Sequence, residues 1–185
     1  MLLMEKKEFM EEIELPEGAE AKIDHGIVFM KGPKGENSKP LANKRISIKV
    51  EGKKIVLAAK RTSKKEKQVL KTFAAHIKNM IRGVTEGYVY KMKICAGHFP
   101  MNVAVSGNML VVKNFIGEKH PRKIRITEGA DIKVSGSDIT IEGVDKEKVA
   151  QMSATIEEKT KRVGYDRRVF QDGIYITSKG GKKIR

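Results

Sequence analysis

Histidine and cysteine are the residue types most often used for acid-base chemistry and metal binding, and here they are few and widely spaced. The 185-residue sequence has one cysteine, Cys95, and four histidines, at positions 25, 76, 98 and 120. Neither His-Glu-x-x-His nor Cys-x-x-Cys occurs, which argues against an ordinary zinc site. Cys95 has apolar neighbours and is expected to be a small buried residue. Only His98, which lies between Gly97 and Phe99-Pro100, remains a candidate acid or base.

Nucleotide-binding loops are also missing from the sequence. Neither Gly-x-x-x-x-Gly-Lys-Ser/Thr nor Gly-x-Gly-x-x-Gly is present. Residues 32–35 (Gly-Pro-Lys-Gly) and 179–182 (Lys-Gly-Gly-Lys) contain suitable residue types, but we interpret both as tight basic turns. We therefore predict a protein that is not an enzyme and that uses no metal and no cofactor.

The charge of the chain is strongly basic and unevenly distributed. The formal net charge is +15, and the pI is about 9.8. Residues 31–71 carry fourteen basic and three acidic side chains, and residues 159–185 carry nine and two. Like charges at this density repel each other unless a counter-charge is present, so the pattern indicates a polyanionic partner.

Several features favour a cytosolic protein, and RNA is the commonest polyanion in that compartment. The longest uninterrupted apolar run, residues 55–59, has five residues, whereas a transmembrane helix needs about 20. The first residues lack the hydrophobic stretch of a secretory signal. A single cysteine excludes an intramolecular disulfide framework. We expect no membrane contact and no small-molecule substrate.

The elements that must position these residues are encoded twice. Residues 48–55 match residues 132–139 at five of eight positions, around the turns Gly52-Lys53-Lys54 and Gly136-Ser137-Asp138. An amphipathic helix follows each copy, the first opened by a Ser63–Glu66 capping box and the second by Asp145. Glycines at 83 and 164 are predicted to end these helices. The repeated order indicates a duplication.

Each copy therefore predicts a small antiparallel sheet packed against one helix, and the fold class is α+β with two tandem duplicated domains. The predicted strands are 46–50 and 55–57 in the first copy, and 124–126, 132–134 and 139–141 in the second. We expect an N-terminal domain with an acidic arm over residues 1–83, a linker over 84–87 and a C-terminal RNA-binding domain with a basic tail over 88–185.

The composition also indicates which kind of RNA is bound. Proteins that bind single-stranded nucleic acid stack its bases on aromatic side chains. With ten Phe and Tyr residues in the whole chain, few such side chains are available here. Basic loops and tails suit structured RNA, which is held by phosphate, 2′-hydroxyl and shape contacts. The last eight residues contain two glycines and four cations, so a flexible basic tail is predicted.

Five motifs then resemble one known family. They are residues 32–35, 79–88, 98–100, 114–119 (Asn-Phe-x-Gly-Glu-Lys) and 168–176 (Arg-x-Phe-x-Asp-Gly-Ile-Tyr-Ile). In this order they resemble the archaeal and eukaryotic type of the large ribosomal subunit protein six family, over essentially the whole chain. The resemblance implies two copies of an α+β domain and a structural, non-enzymatic role. It also implies binding to large-subunit ribosomal RNA near the sarcin–ricin loop, beside the translation-factor site and neighbouring ribosomal proteins.

In that family the second domain makes most of the RNA contacts. Carried over residue by residue, the resemblance implies contacts by Asn114, Gly117, Lys119, Arg167, Arg168, Asp172, Gly173, Tyr175 and the basic tail. Phe170, Ile174 and Ile176 are interpreted as packing residues. Charge alone favours a partly overlapping set: Lys159, Lys161, Arg162, Arg167, Arg168, Lys179, Lys182, Lys183 and Arg185.

Two other functions remain open at this point. A small RNA-processing enzyme would use His98 with a nearby carboxylate as its acid-base pair. A non-specific DNA or chromatin binder would also explain the net charge.

Overall fold

The computed structural model describes residues 9–59, 63–166 and 168–184. The chain divides into two compact units between Gly87 and Tyr88, and each unit is described by itself. Within the described residues, no helix is long and apolar enough to span a membrane.

In the first unit, six strands precede one helix. They are β1 (Phe9–Glu14), β2 (Glu20–Asp24), β3 (Ile27–Gly32), β4 (Gly35–Pro40), β5 (Ile46–Glu51) and β6 (Lys54–Ala59), followed by α1 (Lys64–Thr85). They form two antiparallel sheets of three strands, in the orders β2-β3-β4 and β1-β6-β5.

The second unit repeats this order and then extends it. Its elements are β7 (Tyr88–Cys95), β8 (Asn102–Ser106), β9 (Met109–Lys113), a 3₁₀ turn (Phe115–Gly117), β10 (Arg122–Arg125), β11 (Asp131–Ser135), β12 (Asp138–Gly143), α2 (Lys146–Lys159), β13 (Gly173–Lys179) and β14 (Lys182–Lys183). Strands β8-β9-β10 form one sheet and β11-β12-β7-β13-β14 the other. The added hairpin β13-β14 therefore pairs with β7 on the side away from β12.

This architecture confirms the α+β class and the duplication. Strands β7 to β12 and α2 repeat the order and pairing of β1 to β6 and α1. The sequence predicted one sheet in each copy, whereas each unit contains two. The extra strands were missed because strands such as β2 and β4 alternate half-buried and exposed residues without a continuous apolar face.

The two hairpins predicted from the repeat are confirmed. Glu51 pairs with Lys54 and Ser135 pairs with Asp138, which leaves a two-residue turn in each hairpin. The first turn residue is Gly52 or Gly136, with φ of 60° and 59°. Two-residue turns that match the strand twist need positive φ, which glycine adopts at little cost.

Helix α1 is stabilised by a capping box at its N-terminus and by the burial of its stripe of apolar residues. The capping box is present, because Glu66 N–H donates to Ser63 Oγ and Ser63 N–H donates to Glu66 Oε2, each at 3.3 Å. The stripe packs against β1, β3, β4 and β6. Its buried members are Leu70, Ala74, Ile77, Met80 and Val84, and full burial of the four larger side chains stabilises by about 1.5–3 kcal/mol each.

The predicted helix ends were wrong at both glycines. Helix α1 continues through Gly83 to Thr85, and the left-handed residue is Gly87, with φ of 79°. Gly87 N–H donates to the Gly83 carbonyl at 3.0 Å. The segment predicted as a linker, residues 84–87, thus begins with the last two residues of the helix.

Helix α2 begins at its predicted cap but ends before Gly164. Glu147 N–H donates to Asp145 Oδ1 at 2.8 Å. At its end, the Lys159 carbonyl accepts from Arg122 Nη1, and the Ile156 carbonyl accepts from both the N–H and the Oγ1 of Thr160. Val163, which follows the end of the helix, is 83% exposed.

Candidate nucleic-acid interface

Three loops meet at one end of the second unit. They are residues 96–101 after β7, 114–121 after β9 and the described residues 160–166 and 168–172 after α2, and together we call them the loop face. Asn114 Nδ2 donates to the Pro100 carbonyl at 3.0 Å, which joins the first two loops. Arg162 Nη1 lies 3.3 Å from Glu118 Oε1, which joins the second to the third.

A buried carboxylate joins the first loop to the third. Asp172 accepts from the His98 backbone N–H at 3.0 Å, and its other oxygen lies 2.6 Å from His98 Nδ1. Its side chain is 1% exposed. Burial favours the protonated form, but the hydrogen bonds from His98 and from the Gly97 N–H outweigh it and hold the pKa of Asp172 below its ordinary value. Asp172 therefore positions the loop around His98.

Aromatic rings gather on the same face. The His98 ring stacks on Phe170 with centroids 4.6 Å apart, and Tyr165 meets Phe170 edge to face at 4.8 Å. The Arg162 guanidinium lies 4.6 Å from the Tyr165 ring centre. Phe99 and Tyr165 are 45% and 43% exposed. The sequence missed this cluster because its two parts, residues 98–99 and residues 162–170, are separated by more than 60 residues along the chain.

Glu118 is the charged centre of the face. Its carboxylate binds Arg122 in two contacts, one of them Nε to Oε2 at 2.8 Å, and also faces Arg162. The hydrogen bonds from Arg122 are the main reason that the pKa of Glu118 lies below its ordinary value. Arg162, predicted as an RNA contact, thus forms an ion pair with Glu118 and also contacts Tyr165, with Arg162 Nη2 3.2 Å from Tyr165 Oη.

The loop after β9 has an unusual backbone. Asn114, Ile116 and Gly117 all have positive φ, of 58°, 47° and 74°. Positive φ is rare for a β-branched residue such as Ile116 and costs about 1–3 kcal/mol. The bend buries Phe115 completely, with the Arg122 guanidinium 4.0 Å from its ring centre. Gly117 lies under the Phe99 ring, which a Cβ at this position would approach within 3.7 Å.

The structure divides the predicted contact residues into two groups. On or beside the loop face lie the exposed Lys119, Lys159, Lys161 and Arg168, together with Asn114, Gly117 and the half-buried Arg162. Arg167 and Arg185 lie outside the described residues. Lys179, Lys182 and Lys183 form a second group at the far end of β13. Six residues of strand separate Gly173 from Lys179, which is about 20 Å.

The C-terminal segment is a hairpin, where the sequence predicted a flexible tail. Lys179 pairs with Lys182 and Ser178 with Lys183, and Ile184 N–H donates to the Thr177 carbonyl at 2.9 Å. Gly180 and Gly181, which were expected to supply flexibility, form the turn, with φ of 54° and 86°. The lysine side chains at 179, 182 and 183 remain exposed.

Two predicted contacts sit inside the fold. Gly173 is buried, and a Cβ on it would lie 3.2 Å from the Thr160 carbonyl oxygen and 3.1 Å from the Tyr175 ring. Tyr175 is half-buried and pairs with Lys93 across β7. Ile174 is fully buried, as expected for a packing residue. Asp172 and Gly173 thus expose little surface for direct contact with a partner, and Tyr175 exposes only part of its side chain.

The same geometry bears on catalysis and metal binding. His98 and Asp172 form a histidine–carboxylate pair, but Asp172 also anchors backbone N–H groups. A nearby open groove between β8 and β11 is lined by residues including Pro100, Met101 and Val134, and by neither member of the pair. Within the described residues, no three His, Cys, Asp or Glu side chains are grouped to hold a metal ion.

The fold and the site together define a duplicated α+β protein with a basic, aromatic loop face, a class typical of nucleic-acid binding. The family model described as ribosomal protein L6 matches residues 15–87 and, a second time, residues 99–173. The chain belongs to the ribosomal protein L6 family, as the motifs indicated. The double match agrees with the internal repeat.

Curated relatives agree with the family match. The large ribosomal subunit protein uL6 of Methanobrevibacter smithii is 46% identical over 91% of this chain and 95% of its own length. The protein of the same name from Ignicoccus hospitalis is 49% identical over 89% and 91%. That of Methanosarcina mazei is 44% identical over 94% and 98%.

Proposed function

We propose that the chain is a structural component of the large ribosomal subunit and binds large-subunit ribosomal RNA through its second unit. The names of its relatives and the nature of the family support a ribosomal, non-enzymatic role. By resemblance, the binding site lies near the sarcin–ricin loop and the translation-factor site, among neighbouring ribosomal proteins. The chain then works in the cytoplasm as part of the ribosome.

The observation that carries the proposal is the convergence of three loops on one face. Lys119, Lys161 and Arg168 offer exposed cations beside the exposed rings of Phe99 and Tyr165. Lysine and arginine neutralise phosphates, and aromatic faces accept unstacked bases or riboses. The fixed positions of these groups suit a folded RNA surface better than a uniform duplex.

Within this proposal the residues have different roles. Lys159, Lys161, Arg168 and Lys119 contact phosphates, together with Arg167. Asn114, Gly117, Asp172, Gly173 and Tyr175 set the shape of the loop face. Lys179, Lys182 and Lys183 contact RNA from the C-terminal hairpin, and Arg185 contacts RNA as well. Every one of these contacts is electrostatic or steric and needs no cofactor.

Sedimentation of a cell lysate through a sucrose gradient tests the ribosomal role. We expect the chain to migrate with large subunits and to remain there after a high-salt wash. Recovery only in the light fractions would refute the proposal. Competition with duplex DNA tests the partner class, because a reader of folded RNA should lose little binding to that competitor.

The RNA-processing alternative keeps one specific observation in its favour, the His98–Asp172 pair at 2.6 Å. It predicts cleavage or modification of RNA by the purified chain, abolished by His98→Ala. If the His98–Asp172 pair has a structural role, RNA should stay intact with wild type and with the His98→Ala variant. The variant should bind RNA more weakly, because its loop is less well held.

A further inference from the structure

The outer surface of α1 carries a charge that the duplicated fold does not require. Helix α1 has six Lys and Arg residues and one Glu, whereas α2 has three basic and three acidic residues. The two helices follow equivalent hairpins and pack on equivalent strands, β1, β4 and β6 for α1 and β7, β10 and β12 for α2. The excess of basic residues is therefore specific to the first unit.

Neighbouring acids neutralise only part of this charge. Glu66, the one acid of α1, is buried in the capping box. Lys78 pairs with Glu11 at 2.9 Å, and Arg82 pairs with Glu86 at 2.8 Å. Lys64, Lys65 and Lys71 are exposed and have no ion-pair partner among the described residues. The net positive charge of this surface thus faces solvent.

The basic residues are aligned along the helix. Lys64, Lys71, Lys78 and Arg82 differ by seven and four residues, spacings that place them on one exposed face beside the buried stripe. The eighteen steps along the helix from Lys64 to Arg82 correspond to about 27 Å. A small anion needs donors that converge on one point, whereas a row of this length on a convex surface complements an extended row of anionic charges.

We infer that this surface, defined by Lys64, Lys65, Lys71, Lys78 and Arg82 and called the α1 face, binds the phosphate backbone of RNA. It is a second contact surface, in the unit to which the family resemblance assigns few RNA contacts. Lysine acts here as a point charge and reads no base edge, so the contact adds affinity without sequence specificity. That the RNA is ribosomal rests on the proposed function.

Paired lysine substitutions test the inference in the full-length chain. In the variant Lys64→Gln with Lys71→Gln, two cations of the α1 face are removed while helix propensity is nearly unchanged. The matched control, Lys49→Gln with Lys53→Gln, removes two exposed lysines of the same basic block. Lys49 is an exposed residue of β5, and Lys53 lies in the hairpin turn that follows this strand.

The measurement is the salt dependence of binding to large-subunit ribosomal RNA. Each lost phosphate contact lowers the slope of log K against log salt by about 0.7–0.9. We expect the α1 variant to lose up to about two units and the control to keep the wild-type slope. Equal slopes for wild type and α1 variant would overturn the inference, and so would equal losses in variant and control.

Lysine labelling in intact large subunits identifies the partner directly. We expect Lys64 and Lys71 to be protected from an amine-reactive reagent, Lys49 and Lys53 to react, and ribonuclease digestion to expose the α1 lysines. Protection that survives the ribonuclease would mean a protein partner, and full reactivity in intact subunits would mean none. Either result overturns the proposal that the α1 face binds RNA. The ribosomal role is tested independently, because the chain would still sediment with large subunits in both cases.

Discussion

At the residue scale, Asp172 shows how a motif residue can matter without touching the partner. Its buried carboxylate binds the backbone and the ring of His98, and the ring in turn stacks on Phe170. The acid thus connects the loop after β7 to the loop after α2. Loss of the Asp172 charge should therefore weaken the contact between these two loops without removing any basic side chain from the loop face.

The first prediction concerns Asp172→Asn. The asparagine amide has only one acceptor oxygen, and its NH₂ group would face a hydrogen-bond donor of His98. We therefore expect the free energy of unfolding to fall by about 1–3 kcal/mol. Denaturant unfolding at neutral pH measures it. The control is Asp166→Asn, at an exposed carboxylate of the same segment that also accepts a backbone N–H. Similar losses in both variants would contradict the positioning role.

The pH dependence of the same residue has a defined sign. The pKa of Asp172 is lower in the folded chain than in the unfolded chain. Its contribution is therefore complete above the unfolded value of about 3.9 and is lost as the pH falls through the folded value. We expect the stability difference between wild type and Asp172→Asn to shrink on acidification below about pH 4. A difference that grows on acidification would contradict this assignment.

At the element scale, the basic turn after β3 is fixed against the end of α1. Lys34 N–H donates to the Val84 carbonyl at 2.9 Å. A Cβ on Gly32 would lie 2.7 Å from that carbonyl oxygen and 2.9 Å from the Val84 side chain. This contact supplies a donor to a carbonyl in the last turn of α1, where the helix itself provides none.

Gly32→Ala tests that contact. Because the clash is with backbone, we expect a loss of stability of about 1–3 kcal/mol, measured by thermal or denaturant unfolding. Gly97→Ala serves as the control, since a Cβ there meets nothing within 4 Å. An unchanged stability of Gly32→Ala would mean that the turn and the helix end separate easily.

The C-terminal hairpin gives a second prediction at this scale. Replacing Lys182, Lys183 and Arg185 with alanine should weaken RNA binding and reduce the salt slope by up to about three units. Filter binding over a range of salt concentrations measures both. An unchanged slope would mean that the hairpin lies away from the RNA.

At the scale of the whole molecule, the chain presents basic surfaces in both duplicated units. Phosphate contacts at separate surfaces release their counterions independently, so their contributions to the salt slope should add. We expect a chain with the α1 substitutions and the hairpin substitutions together to lose up to about five units of slope. A loss no larger than that of either variant alone would show that the two surfaces do not bind RNA at the same time.

The local pattern of the sequence determined the repeated unit. Hairpin turns, helix caps and apolar periodicity depend on residues within a few positions of each other, so the hairpins at Gly52 and Gly136 and both helix starts could be predicted. The motifs also identified the family. The net charge indicated a polyanion without indicating which cations act together.

Contacts between distant residues decided the rest. Arg122 donates to the last carbonyl of helix α2, and Lys34 N–H donates to a carbonyl in the last turn of α1. His98 meets Asp172 across 74 residues. The loop face and the division of the basic residues exist only once the sheets have formed, because strand pairing brings those positions together. A linear pattern does not contain these distances, so only the tertiary structure could decide them.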